Sequence, residues 1–260
     1  MLQTTTEIMT DSALPLARQW ALVTGSTRGI GRAIALELAA AGANVIVHGR
    51  DAQAAEEVCT LIRQQQREAI SIVTDIGSAV ARQKLIEHAW NDHAIDVWIN
   101  NAGVDVLTGN AANWSFDKKL DALWQVDVQG TIDLSRAVGQ RMRERGRGVV
   151  LNIGWDQAEI GMAGDSGEMF AATKGAVMAF TRSLAKSLAP EVRVNGIAPG
   201  WIRTAWGEEA SDNWQQHAIN DSLLKRWGEP EDVARAAAFL ASPVAAFITG
   251  QIIHVNGGRA

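Results

Sequence analysis

The sequence predicts one doubly wound α/β domain, a parallel sheet with helices on both faces. Three observations carry that prediction. Short apolar, β-prone runs alternate with helical segments along the chain, the first run ends in a glycine-rich turn that opens a helix, and no linker or repeat divides the 260 residues.

The elements follow in order. "WALVTG" (Trp20 to Gly25) is the first strand. In "IGRAIALELAAAGA", Ile30, Ile34, Leu38 and Ala41 share one helical stripe, and Gly42 ends it. "NVIVHG" is the second strand, and Asp51 opens a polar helix reaching Arg67. "AISIVTD" is the third strand, Gly77 to Asp92 a helix, and "IDVWINNAG" a fourth strand running into a turn. A long helical segment covers Phe116 to Arg145, "GVVLNIG" is the fifth strand, and Met169 to Leu188 is helical. "VRVNGIAPG" is the sixth strand, ended by Pro199-Gly200. Trp206 to Trp227 reads as irregular, Glu229 to Ala241 as a helix with Pro230 at its start, and "GQIIHVNGG" as the last strand. Residues 1–18 read as an N-terminal extension and 19–260 as the domain.

Composition narrows the function. Apolar residues at 47% suffice for a large core, and a net charge of −5 gives no broad basic face for a nucleic acid. Cys59 is the only cysteine, so an intrachain disulfide and a cysteine-based zinc site are excluded, as suits a reducing cytoplasm. No apolar run approaches the roughly 18 residues a membrane span needs. The first residues carry acids, no basic stretch and no long apolar run, unlike a secretory signal. No metal ligand set is read.

"TGSTRGIG" joins the first strand to the first helix. Its glycines, spaced G-x-x-x-G-x-G, let backbone approach a pyrophosphate, and the helix N-terminus aims N–H groups and a positive dipole at it. With "NNAG" (Asn100 to Gly103), "KGAV", "VRVNGIAPGWIRT" and "GQIIHVNGG" at successive places, the chain from Trp20 onward resembles the short-chain dehydrogenases/reductases, most of all the β-ketoacyl carrier-protein reductase and glucose-dehydrogenase branches. The resemblance implies a Rossmann fold, an oxidoreductase, a lid at about 201–227, and a homo-oligomer, tetramer or dimer.

It also implies cofactor contacts: Gly25, Thr27, Arg28, Ile30 and Gly31 at the pyrophosphate, Asp75 and Ile76 at the adenine, and Asn101, Ala102 and Gly103 beside the ribose. Lys174 would meet the nicotinamide ribose, and Pro199, Gly200, Ile202 and Thr204 would lie along the nicotinamide, with Thr204 near its carboxamide or the diphosphate. The second strand ends in Gly49 and Arg50 rather than an acid, and Arg28 lies in the glycine loop. Two guanidinium groups suit a 2′-phosphate, so NADP(H) is expected over NAD(H), with Asp51 as a helix cap.

The family's catalytic pattern is a serine, a tyrosine, a lysine and an asparagine. "EMFAATKG" keeps Lys174 but puts Phe170 in the tyrosine position, and the chain contains no tyrosine. Asp127 stands in the asparagine position. For the serine, the strand anchor gives Trp155 in "IGWDQ", whereas counting back from Phe170 gives Gln157, with Asp156 between. Loops absorb extra residues readily, which favours the strand anchor. Asp127 is expected to ion-pair with Lys174, directly or through water. Asp156, at the carboxyl end of the fifth strand, either caps a turn or, buried beside Trp155 and Phe170, serves as an acid; Glu168 and His217 are weaker candidates. Trp201, Trp206, Trp214 and Trp227 crowd the lid, as packing or as an aromatic pocket. The two functions left open are an atypical NADP(H)-dependent oxidoreductase and a catalytically silent NADP(H)-binding protein.

Overall fold

The computed structural model describes residues 14–259, without the Trp206 side chain. Among them, seven strands form one sheet: β1 Trp20–Val23, β2 Asn44–Gly49, β3 Ala69–Val73, β4 Val97–Asn100, β5 Gly148–Ile153, β6 Val192–Pro199 and β7 Ile252–Val255. Their order is β3-β2-β1-β4-β5-β6-β7, and every pairing is parallel. The chain steps outward from β1 to β3, then crosses back to β4. The crevice between β1 and β4, at the carboxyl ends of the strands, is where such sheets bind ligands.

Parallel neighbours need long crossovers, and helices supply them. Alternation along the strands fills two apolar layers. Val23, Val45, Leu151 and Ile197 pack with α1 Gly29–Ala40, α2 Ala52–Gln64 and α9 Pro230–Ala241. Leu22, Ile46, Trp98, Val150 and Val194 pack with α3 Ala79–Asn91, α5 Thr131–Arg145 and α6 Asp165–Leu188. This is the doubly wound Rossmann architecture that the alternating pattern predicts.

Three expectations are corrected. The helical rod from Phe116 to Arg145 is not uniform: α4 Phe116–Leu123 passes into a π-helical stretch, Trp124–Gly130, before α5. Helix α6 begins at Asp165 rather than Met169, after Gly164 in the left-handed region at φ 89°. The segment read as irregular holds α7 Ala205–Glu209 and α8 Asp212–Asp221, stabilised by packing on Trp227 rather than by any strong local pattern. Of the expected extension, residues 1–13 lie outside the described residues. Leu16 is buried, and its N–H donates to the Ala41 carbonyl at 2.9 Å.

A buried polar chain ties β4 and β5 to the helices behind them. Trp98 Nε1 donates to Asn100 Oδ1, and Asn100 Nδ2 donates to Ser135 Oγ and to Asn152 Oδ1, each at 2.8 Å. Asn152 Nδ2 then donates to Thr181 Oγ1 at 2.9 Å. Asn100 and Asn152 are register partners, so the chain closes across adjacent strands just below the crevice.

Candidate functional site

Two cavities, each of about 470 Å³, adjoin at the carboxyl ends of the strands and share Ile30, Asn101 and Thr204 in their walls. The first is the glycine-loop cavity. Gly25 takes φ +64° and Gly29 φ +52°, a region that favours glycine. A Cβ on Gly31 would lie 2.2 Å from the Gly25 carbonyl oxygen, so the loop closes only with hydrogen there. No side chain caps the N-terminus of α1, which leaves its first N–H groups to an anion. These features fit a pyrophosphate.

The loop is held from two sides. Asn101 Nδ2 donates to the Thr24 and Gly25 carbonyls at 3.0 Å, and the Asn101 N–H donates to Thr24 Oγ1 at 2.9 Å. From β2, His48 Nδ1 accepts the Gly25 N–H at 3.2 Å. Burial lowers His48 from 6.5 to about 4, against the Thr74 backbone and Asp75, so the ring is neutral and can accept. The sequence reading missed His48, although its place at the end of β2 was a signal.

Gly25, Thr27, Arg28, Ile30, Gly31, Arg50, Asp75, Ile76, Asn101, Ala102, Gly103 and Thr204 all line this cavity. Arg28 and Arg50 are exposed, and Asp51 is turned away as the cap of α2, its carboxylate accepting the Ala54 N–H at 3.1 Å.

The second cavity holds Lys174, Pro199, Gly200 and Ile202 with a largely aromatic wall. Phe170 and Lys174, four apart on α6, share one face. The Phe170 ring meets Trp155 edge-on at 6.1 Å between centroids, and Trp201 and Trp214 lie 5.5 Å apart across the lid. Trp227 is buried beneath the lid against Gly207 instead of lining the cavity. Ser166, one turn before Phe170, also lines it and was missed because the helix was expected to start later.

Lys174 Nζ lies 2.9 Å from Asp127 Oδ2, and Asp127 is only 2% exposed. Asp127 sits in the π-helical stretch, a kind of helix irregularity often found at functional sites. Its Oδ1 accepts the Val104 N–H at 2.9 Å. Gly103 admits the carboxylate, since a Cβ there would lie 2.8 Å from Oδ2. Lys174 also donates to the Ile153 carbonyl at 3.4 Å.

The placement expected of Asp156 is corrected. Trp155 is extended, so consecutive side chains point to opposite sides: Trp155 lines the cavity and Asp156 does not. Asp156 Oδ2 accepts from Asn256 Nδ2 at 3.2 Å and Arg259 Nη1 at 3.4 Å. Burial pushes its carboxyl above the usual range, opposed by Asn256 and Arg259. Gln157 also faces Arg259, accepting from Nη2 at 2.9 Å. The same Nη2 lies 3.2 Å from Asp221 Oδ2, which accepts from Trp201 Nε1 at 3.0 Å. Arg259 thus ties the end of β5 to the end of α8. Glu168 and His217 are exposed; neither lines the cavity, and His217 packs its ring edge-on to Trp201 and Trp214.

Among the described residues, no group of His, Cys, Asp and Glu is arranged to hold a metal ion, and no helix is long and apolar enough to cross a membrane.

Comparison with known proteins agrees with this geometry. A family model described as enoyl-(acyl carrier protein) reductase matches residues 25–260. The 3-oxoacyl-[acyl-carrier-protein] reductase of Aquifex aeolicus is 36% identical over 245 residues, 91% of this chain and 95% of that one. The short-chain reductase protein NovJ of Streptomyces niveus is 35% identical, over 92% and 93%. Among solved structures, a 3-oxoacyl (acyl-carrier-protein) reductase of Agrobacterium tumefaciens with NADP bound has a TM-score of 0.86 at 30% identity, over 98% and 99% of the two chains. A 7α-hydroxysteroid dehydrogenase complexed with NADH has a TM-score of 0.87 at 31% identity, over 97% and 98%. The chain belongs to the short-chain dehydrogenase/reductase family.

Proposed function

We propose that the protein is an NADP(H)-dependent oxidoreductase with an atypical active site, in which Phe170, Trp155 and Asp127 stand where the family has tyrosine, serine and asparagine. The observation that carries this reading is the pair of adjoining cavities: a phosphate-binding cradle opens into an aromatic pocket at the switch point of the sheet.

Arg28 and Arg50 at the mouth of the cradle, with Asp51 turned away, favour a 2′-phosphate. The bound dinucleotide supplies the two electrons and the hydrogen of a hydride transfer. The chain's own residues do the rest. Asn101 and His48 hold the glycine loop in its anion-binding shape. Lys174 is kept in place by Asp127 to meet the ribose hydroxyls, and the aromatic wall excludes water. The lone buried Cys59 and the exposed Phe239, Val244 and Phe247 fit a cytoplasmic homo-oligomer.

Calorimetric titration with NADPH and NADH, followed by turnover screening of ketones, enones and imines, tests the reading. Tight NADPH binding with turnover of any of them supports it. NADPH binding with no turnover favours the silent binder, and binding of neither dinucleotide overturns both.

A further inference from the structure

We propose that Arg259, in the segment after β7, is a positioning residue for the aromatic pocket. Its guanidinium stands behind two of the pocket's walls, Trp155 and Trp201, and holds both in place. The consequence for turnover rests on the oxidoreductase reading above; the positioning itself does not.

The backbone delivers Arg259 to this place. The segment after β7 turns at Gly257 and Gly258, whose φ of +69° and +71° favour glycine. It then pairs antiparallel with the residues that follow α8. The Leu223 N–H donates to the Gly258 carbonyl at 3.2 Å, the Leu224 N–H donates to the Gly257 carbonyl at 3.1 Å, and Ser222 and Arg259 form a bridge. Arg259 does not itself line the pocket.

One guanidinium then reaches both walls. Its Nη1 meets Asp156 Oδ2 at 3.4 Å, and its Nη2 meets Gln157 Oε1 at 2.9 Å. Asp156 directly follows Trp155, and a Cβ on Gly200, another pocket residue, would lie 3.4 Å from its Oδ2. On the other side, Nη2 lies 3.2 Å from Asp221 Oδ2, the oxygen that accepts from Trp201 Nε1 at 3.0 Å. The Trp201 ring packs against Trp214 and Trp227, and the bond at Nε1 fixes its turn within that packing.

The charges explain why an arginine is needed. A planar fork of donors suits several acceptors at once. Two carboxylates share one cation. Burial, and after it the Asp221 charge, pushes the Asp156 carboxyl above the usual range, so the two acids repel. Asp156 is 5% exposed and has no route to water, whereas Asp221, at 17%, sits nearer the surface. Without Arg259, Asp221 swings outward and takes the Trp201 acceptor with it. Asp156 is left with Asn256, which loosens the strand end that carries Trp155. None of these cluster residues lines the glycine-loop cavity, so the cradle is untouched.

The experiment labels the indole nitrogens of the ten tryptophans in the full chain and records proton–nitrogen correlation spectra. Trp155→Phe and Trp201→Phe assign the two signals. Arg259→Ala is expected to move both, and to leave the Trp98 signal, bonded to Asn100, in place. NADPH affinity should stay within about twofold. Asp221→Asn keeps an acceptor for Trp201 but loses the charge, and should move Trp201 more than Trp155. Arg259→Lys keeps the charge and should return both signals part of the way. For any ketone or enone that is reduced, Arg259→Ala should raise KM by roughly tenfold with kcat nearly unchanged, because the loosened walls bind ground and transition states equally less well. Unmoved Trp155 and Trp201 signals in Arg259→Ala overturn the proposal. So does a uniform shift of all ten, the mark of a generally loosened fold. Should Arg259→Ala not fold, Asp221→Asn decides: a moved Trp201 signal supports the proposal and an unmoved one overturns it. Failure of NADPH to bind overturns the oxidoreductase reading alone, since the spectra judge Arg259 without it.

Discussion

Lys174 and Asp127 form an ion pair of 2.9 Å at the floor of the aromatic pocket, with side chains only 14% and 2% exposed. Helix α6 supplies the cation and the π-helical stretch supplies the anion. Breaking either half strands the other charge in a low-dielectric site. Lys174→Met and Asp127→Asn should each lower unfolding stability by about 3–5 kcal/mol, with the double variant closer to wild type than the sum. Denaturant melts of the four proteins check this; simple additivity would argue against a buried pair.

Dinucleotide choice should follow the two arginines. Arg28→Ala and Arg50→Ala should each weaken NADPH binding by about tenfold to a hundredfold, the loss expected for a charge-assisted phosphate contact, with little effect on NADH. Dissociation constants for both dinucleotides decide the point. Tighter NADH binding by the unmodified protein would defeat the preference.

Acid should weaken the fold through His48. The folded protein holds this ring down at about 4, chiefly by burial, whereas an unfolded chain titrates at its ordinary 6.5. Below 6.5 the unfolded state binds a proton that the folded state refuses. Stability is therefore fully present above about 6.5 and falls as pH drops toward 4, by roughly 3 kcal/mol from this group. Protonation of the folded ring, which sets in only near pH 4, removes the acceptor for the Gly25 N–H, so NADPH affinity should hold down to about pH 5 and fall as pH approaches 4. His48→Gln should flatten this part of the stability profile, measured by urea unfolding from pH 4.5 to 7.5; an unchanged slope would assign it elsewhere.

The polar chain under the crevice should be costly to interrupt. Asn152→Leu leaves Asn100 Nδ2, Ser135 Oγ and Thr181 Oγ1 each short of a partner. A loss of about 3–6 kcal/mol is expected, from three buried groups at roughly 1–2 kcal/mol apiece. Unfolding melts measure it, and a neutral substitution would mean that the network is slack.

The strands and the glycine loop were legible because their signals are local: apolar runs of strand length, and glycines at a turn that requires them. The Lys174–Asp127 pair was legible through family positions far apart in sequence. What escaped depends on contacts the pattern does not encode. The π-helical stretch leaves no mark in "WQVDVQG". The direction of Asp156 turns on a single extended residue before it. Arg259 reaches Asp156 from 103 positions away, which no local spacing reveals. Helices α7 and α8 are short and depend on packing around Trp227, so their periodicity is weak. Ser166 became visible only once α6 was known to start at Asp165.

Trp201 stands at the centre of the lid, 5.5 Å from Trp214 and 6.5 Å from Trp227 between ring centroids. Indoles at that spacing couple their electronic transitions, and the inclined geometry makes the coupling chiral. These indoles should therefore imprint a paired circular dichroism band, uncontaminated by tyrosine because the chain has none. Loss of the Trp201–Asp221 hydrogen bond should change the sign of the band or collapse it, giving an optical readout of how these indoles pack.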